Sequence, residues 1–145
     1  MKSFLVDVNV WVALSSDRHV HYEAAHRWFA GVAPGGAVFC RLTQLGYLRL
    51  LTNPRVMGDD AVNQREAWRI YDRLREDARV GYVAEPPDVE DALRDLTQSG
   101  QPGASVWTDA YLAAVARTRG LAVVSFDRGF GRFSRVEALL LPGPH

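Results

Sequence analysis

Residues 4–11 read FLVDVNVW, a short apolar run that passes directly into polar residues. The apolar part predicts a buried strand that ends at Asp7, followed by a polar turn at Asp7, Val8 and Asn9 and then a helix. In open parallel sheets, ligands bind beyond the carboxyl ends of the strands. If the rest of the chain builds such a sheet, Asp7 lies at its ligand-binding edge.

Short apolar strands alternate with helices along the rest of the chain. Further strands are predicted at residues 37–40, 80–84, 121–126 and 136–141, and helices at 22–32, 42–51, 59–78, 88–99 and 105–119. This alternation is typical of a parallel sheet with helices on both faces, a three-layer α/β/α domain. Repeats, low-complexity segments and linkers are absent from the sequence, so we expect residues 1–145 to form one domain.

Composition restricts the class of protein. Hydrophobic residues make up 48% and charged residues 23%, as in ordinary globular proteins. The sequence has no apolar run long enough to cross a membrane and no secretion signal, so we expect no membrane partner. The single cysteine, Cys40, fits a packing role in a reducing compartment, which predicts a cytoplasmic protein.

The charge of the chain gives no overall indication of a nucleic-acid partner, because the net charge is zero. Five arginines nevertheless lie between residues 117 and 135, beside the lone acid Asp127. Guanidinium groups bind phosphate well, so this stretch fits either a phosphate-binding surface or an ordinary solvated face.

Three aspartates form the candidate site. Asp7 and Asp127 each follow a predicted strand, and Asp109 lies near the start of the predicted helix 105–119. Taken singly, each has a structural explanation as a cap, a turn residue or a partner of the helix dipole. Three carboxylates that converge without a fixed basic partner repel one another unless a cation is present. The set therefore predicts a site for Mg²⁺ or Mn²⁺.

Other residues are given lesser roles. Asn9 is predicted to cap the helix after Asp7, and Thr108 and Ser125 to support the ligands through hydrogen bonds. No histidines or cysteines have the spacing of a zinc site, and His19 and His21 are expected to be exposed. Phosphate-binding glycine loops and serine or cysteine nucleophile motifs are absent from the sequence.

Four blocks in order carry a family resemblance: residues 4–11 (FLVDVNVW), 42–49 (LTQLGYLR), 108–113 (TDAYLA) and 125–130 (SFDRGF). The chain resembles PIN-domain proteins from about residue 3 to residue 141, and more narrowly the VapC-type toxins of toxin–antitoxin pairs. This resemblance implies a PIN fold, an Mg²⁺- or Mn²⁺-dependent endoribonuclease that cleaves RNA with a metal-activated water, and a cognate antitoxin protein that blocks the site.

The resemblance also assigns catalytic residues. Asp7, Asp109 and Asp127 match three family acids, whereas Gln44 stands where PIN nucleases generally carry Glu. Gln offers one neutral carbonyl in place of a carboxylate, so we expect weaker metal binding and one well-occupied metal before substrate arrives. The alternative is that Gln44 only makes a hydrogen bond near its helix start.

Other functions stay open. The chain fits a PIN nuclease that acts on DNA or in RNA maturation without an antitoxin, or a non-catalytic RNA-binding module. A receiver-like or phosphatase-like domain fits less well, because residues 7–9 lack a second acid. Trp11, Trp28 and Trp68 are more aromatic surface than a small core usually needs, so we expect at least one of them to contact the antitoxin or a second copy of the chain, a homodimer, unless all three belong to the core.

Overall fold

A five-stranded parallel sheet organises the chain, whose computed structural model describes residues 2–98 and 103–143. The strands are β1 (Phe4–Val6), β2 (Ala37–Phe39), β3 (Val80–Tyr82), β4 (Ala122–Ser125) and β5 (Ala138–Leu140). Their order across the sheet is β3-β2-β1-β4-β5, and neighbouring strands are parallel. The predicted parallel sheet is confirmed.

Helices cover both faces of this sheet. They are α1 (Val8–Ser15), α2 (Tyr22–Phe29), α3 (Arg41–Leu51), α4 (Pro54–Met57), α5 (Gln64–Arg75), α6 (Val89–Leu96) and α7 (Val106–Arg119), with short 3₁₀ helices at Gly58–Asp60 and Arg128–Arg132. Helices α1, α2, α3 and α5 contribute to one core, and α6 and α7 to the other. The three-layer arrangement is therefore confirmed. Within the described residues, none of the helices is both long enough and apolar enough to span a bilayer.

The strands are apolar on both sides because both faces of the sheet are covered. Successive strand residues point to opposite faces, so Leu5 belongs to the core beneath α6 and α7, and Val6 to the core beneath α1, α2, α3 and α5. Trp11 of α1 is fully buried and stacks on Phe39, with 4.0 Å between the ring centroids. The core thus fixes the chain immediately before and after Asp7.

The first helix begins earlier than the sequence predicts. The expected polar turn at residues 7–9 is wrong, because α1 begins at Val8. Asp7 itself is the N-cap, and its Oδ1 accepts a hydrogen bond from the Val8 amide at 2.8 Å. Asp7 therefore follows the end of β1, caps α1 and provides a candidate metal ligand.

The helix predicted over residues 59–78 is shorter than expected. Residues 59–60 lie in a 3₁₀ helix, and α5 spans Gln64–Arg75. Asn63 caps α5 by accepting a hydrogen bond from the Glu66 amide at 2.8 Å. Residues 99–102, where the sequence predicts a helix end and a loop, lie outside the described part of the chain.

The centre of the sheet brings two strand ends together. β1 lies between β2 and β4, so the chain leaves β1 toward one side of the sheet and later returns on the other side. This is the switch point at which parallel sheets open a ligand-binding crevice. The Asp7 amide donates to the carbonyl of Val124 at 3.0 Å, which ties the two strand ends at this point.

Helix α3 approaches α1 closely beside the same crevice. Gly46 faces Val8, and a Cβ added at Gly46 would lie 2.8 Å from Val8 Cγ2. The absence of a side chain therefore permits this approach. It brings the first turn of α3, which carries Gln44, toward the region of Asp7.

Candidate active site

Asp7 lies at the carboxyl end of β1 with both carboxylate oxygens held. Oδ1 accepts from the Val8 amide at 2.8 Å, and Oδ2 accepts from the Ser125 hydroxyl at 2.6 Å. A carboxylate oxygen that accepts one hydrogen bond retains a second lone pair. Both oxygens therefore remain able to bind a cation while their orientation is fixed.

Ser125 joins the residues around β1 to those after β4. Its side chain is fully buried, and its hydroxyl oxygen accepts from Asn9 Nδ2 at 3.2 Å and from the Asp127 amide at 2.8 Å. Asn9 Oδ1 also accepts from the Phe126 amide at 3.3 Å. The prediction that Asn9 caps α1 is therefore wrong, because Asp7 caps the helix and Asn9 bonds across to the end of β4.

Asp109 and Asp127 approach from the other side of the crevice. Asp127 caps the 3₁₀ helix Arg128–Arg132, and its Oδ1 accepts from the Gly129 amide at 2.8 Å. Asp109 lies in the first turn of α7, as predicted, and its Oδ2 accepts from Arg132 Nη2 at 3.1 Å. The expectation that the acids have no fixed basic partner is wrong, because Arg132 pairs with one of them.

The acids influence the ionisation of Asp7. Burial raises its pKa above the ordinary value of 3.8. Hydrogen bonds from Ser125 and Val8 stabilise the ionised form and lower the pKa, while the negative charges of Asp109 and Asp127 raise it. The negative charge at Asp7 is therefore disfavoured in the absence of a cation.

The pKa of Asp109 is also raised above its ordinary value. Burial raises its pKa first, and the charge of Asp127 raises it further, while Arg132 lowers it. A side-chain hydrogen bond with Asp127 also raises the pKa, because such a bond requires a proton on one of the two carboxyl groups. Asp109 and Asp127 are thus close neighbours with like charge.

A family model of the PIN domain matches residues 4–136, a range that contains all three acids. The chain belongs to the PIN-domain family. It is 40% identical over 142 residues to ribonuclease VapC41 of Mycobacterium tuberculosis, with 94% of this chain and 97% of the relative covered. This identity places it among the VapC ribonucleases, which are RNA-cleaving hydrolases.

Solved structures of low sequence identity share the fold of this PIN domain. VapC20 of Mycobacterium tuberculosis, described as a toxin that cleaves the sarcin–ricin loop, has a TM-score of 0.66 at 21% identity, covering 97% of this chain and 100% of the other. DNA-bound VapBC from Salmonella typhimurium has a TM-score of 0.67 at 15% identity, covering 96% and 98%. The predicted PIN fold is confirmed.

The donor set of this PIN domain fits the divalent metal that PIN ribonucleases generally use. All three candidate ligands are carboxylates, the donors that hard divalent ions prefer. Across residues 2–98 and 103–143, however, no three His, Cys, Asp or Glu side chains form a ready-made metal cluster. The charges of Asp109 and Asp127 raise the pKa of Asp7, but the three acids do not form a closed cage, and Arg132 contacts Oδ2 of Asp109.

Gln44 lies in the first turn of α3, as predicted, and is only 6% exposed. The guanidinium of Arg41 donates to its Oε1. This contact supports the alternative in which Gln44 makes a hydrogen bond near its helix start. It also places the positive charge of Arg41 beside Gln44.

A groove of about 670 Å³ lies between α3 and α7, and none of the three acids lines it. Thr108, next to Asp109, lines the groove together with the exposed side chains of Leu45 and Trp107. Among the described residues, Thr108 makes no side-chain hydrogen bond to the candidate ligands. No contact in the described part of the chain therefore supports its predicted role.

The aromatic and histidine predictions need correction. Trp11 is fully buried, so it cannot be the tryptophan that contacts a partner. Trp68 is 47% exposed, and Trp107, which the sequence analysis missed because one exposed aromatic gives no periodic pattern, is 58% exposed. His19 and His21 are half-buried rather than exposed.

Proposed function

We propose that residues 1–145 form a single nuclease domain, an Mg²⁺- or Mn²⁺-dependent endoribonuclease that acts as the toxin of a toxin–antitoxin module. The observation that carries this proposal is the set of three carboxylates at the switch point of a PIN fold, where the charges of Asp109 and Asp127 raise the pKa of Asp7. Such a set stores repulsion that a divalent cation relieves. The 40% identity to a named ribonuclease gives independent support.

In this proposal, Asp7, Asp109 and Asp127 hold the metal. A bound Mg²⁺ or Mn²⁺ supplies a water of lowered pKa and positive charge for the scissile phosphate. Asp7 contributes a carboxylate whose direction is fixed by Ser125 and Val8. Asp127 is exposed and contributes a carboxylate at the mouth of the crevice. The chain then needs no nucleophilic side chain of its own.

The direct test is cleavage of a labelled RNA by the purified protein. We expect cleavage with Mg²⁺ or Mn²⁺ and none in excess EDTA, while single-stranded DNA of the same sequence stays intact. Cleavage of the DNA would favour the alternative of a DNA-directed PIN nuclease. RNA binding with no cleavage under any divalent metal would favour the non-catalytic module and overturn the proposal.

Gln44→Glu is expected to tighten Mn²⁺ binding by about three- to tenfold, because it adds an acid near the site. Arg41 would pair with the new carboxylate and offset part of this gain. Calorimetry measures affinity and stoichiometry, with one metal expected in the native protein, and cleavage should rise at low Mg²⁺. Gln64→Glu at the exposed start of α5 is the matched control. Equal affinity and stoichiometry in the native protein and Gln44→Glu would remove Gln44 from the site.

We propose a cognate antitoxin as one protein partner and a second copy of the chain as another. The structural neighbour VapBC gives support for an antitoxin. Leu45, Trp68 and Trp107 provide exposed apolar side chains on α3, α5 and α7. Acrylamide quenching should show Trp68 or Trp107 becoming protected in the complex, and unchanged quenching of both would contradict their role.

We propose the cytoplasm as the site of action. A free cysteine, Cys40, is buried in the core, which fits a reducing compartment. The proposed substrate, RNA, is also found in this compartment. Fractionation of cells that carry the chain tests this proposal, and recovery outside the cytoplasm would oppose it.

A further inference from the structure

Arg132 is held against the proposed metal site by three neighbours. Its Nη2 donates to Asp109 Oδ2 at 3.1 Å, and its guanidinium carbon lies 4.9 Å from the centroid of the buried Phe133 ring. A Cβ added at Gly129 would lie 2.5 Å from Arg132 Nη1, so the guanidinium crosses this glycine closely. Gly129 in turn donates its amide to Asp127. Arg132 therefore lies beside both acids.

Arg132 and a cation at the proposed site would compete for Oδ2 of Asp109. A cation held by Asp109 is repelled by the guanidinium that already contacts Oδ2 of that carboxylate. The side chain of Arg132 is 44% exposed and that of Asp109 is 21% exposed, so solvent weakens the ion pair. If Asp7, Asp109 and Asp127 held a divalent cation together, Asp109 would therefore release this single half-exposed guanidinium.

Displacement leaves a positive group at the edge of the crevice. The guanidinium has a planar set of donors that matches the oxygens of a phosphate. Arg132 also stands in the 3₁₀ helix that follows Asp127, so a short side-chain rotation keeps it near the acids. The nearest anionic group that a substrate brings to this position is its phosphodiester.

We propose that Arg132 is a positioning residue that holds Asp109 in the metal-free site, yields this carboxylate to the cation, and then binds the phosphate undergoing cleavage. The inference rests on the proposed metal-dependent cleavage of RNA. It assigns a role to this chain's own arginine that the three acids alone do not provide.

The test compares Mn²⁺ affinity, measured by calorimetry without RNA, in the native protein and in Arg132→Ala, Arg132→Gln and Arg128→Ala. Loss of Arg132 should tighten Mn²⁺ binding about three- to tenfold, because a competing cation is removed. Arg128→Ala removes the same charge from the same 3₁₀ helix, and among the described residues Arg128 has no hydrogen bond to Asp109. It should bind Mn²⁺ as the native protein does. A purely structural arginine would predict weaker binding instead.

The second measurement is RNA cleavage at saturating Mg²⁺. We expect kcat/KM to fall about 10- to 100-fold in Arg132→Ala, because a charged donor to the phosphate is lost. Arg132→Lys should restore part of this rate, since it keeps the charge without the planar donors. Native or weaker Mn²⁺ affinity in both Arg132→Ala and Arg132→Gln, tightening in Arg128→Ala equal to that in Arg132→Ala, or an unchanged kcat/KM would each overturn the proposal. The calorimetric result can be read even if the native protein cleaves no RNA, so the two proposals fail separately.

Discussion

Asp7→Asn is expected to abolish metal-dependent RNA cleavage, with a loss of about a thousandfold or more. Asp7 is the proposed ligand whose two oxygens are both fixed, by Val8 and Ser125. The amide removes the negative charge and replaces one ligand oxygen with a hydrogen-bond donor. Asp109→Asn should have a similar effect, because it makes the same change at a second proposed ligand, whose Oδ2 accepts from Arg132.

The stability of Asp7→Asn shows whether the loss of RNA cleavage comes from the lost ligand or from a damaged fold. Because the pKa of Asp7 is raised above 3.8, the folded protein binds a proton at this group more tightly than the unfolded chain does. Its unfavourable effect on stability therefore appears as the pH rises above 3.8 and is complete once the pH exceeds the raised pKa of the folded protein. Without metal, Asp7→Asn should melt at the same temperature as the native protein or higher at neutral pH. The difference should narrow in acid.

Thermal melts in EDTA and a gel-based cleavage assay give both readouts. Asp59→Asn, which removes an exposed acid in a 3₁₀ helix distant in sequence from the site acids, is the control and should retain native cleavage and stability. Native cleavage rates in Asp7→Asn would end its assignment as a ligand. A large drop in its melting temperature would instead show that Asp7 acts through the fold.

The sequence contained enough information to locate two of the acids. Asp7 and Asp127 follow strands whose apolar residues are buried on both faces, and strands of that kind can be recognised without knowing their neighbours. The switch point then follows from the parallel order β2-β1-β4. Asp109 could be assigned to a helix start, but its approach to Asp127 depends on how α7 packs.

The remaining features depend on contacts between distant parts of the chain. Arg132 meets Asp109 across 23 residues, and no local pattern marks this pair. The role of Asn9 is decided by a hydrogen bond to Ser125, 116 residues away. A local pattern was available for α5, because Asn63 followed by Glu66 three residues later is typical of a helix N-terminus. Asp59 and Asp60 also suit a helix N-terminus, so the start of α5 was predicted too early.

Ser125→Ala is expected to be the second largest perturbation of the site. Ser125 is fully buried, and its hydroxyl donates to Asp7 while it accepts from Asn9 and from the Asp127 amide. Alanine leaves those two donors without this acceptor, which should lower the free energy of unfolding by about 1–3 kcal/mol. Loss of a hydrogen bond that orients a metal ligand should also weaken metal binding about 10- to 100-fold.

The two effects can be separated by titrating Mg²⁺. If Ser125 acts by orienting Asp7, cleavage by Ser125→Ala should require more Mg²⁺ and recover in part when the ion is in excess. Ser15→Ala is the matched control, because the Ser15 hydroxyl bonds to Tyr47 and to the Trp11 carbonyl, neither of which is a proposed ligand. It should lower stability and leave the Mg²⁺ requirement unchanged. A native Mg²⁺ requirement in Ser125→Ala would show that the serine supports the fold alone, and that Val8 is sufficient to hold Asp7 in place.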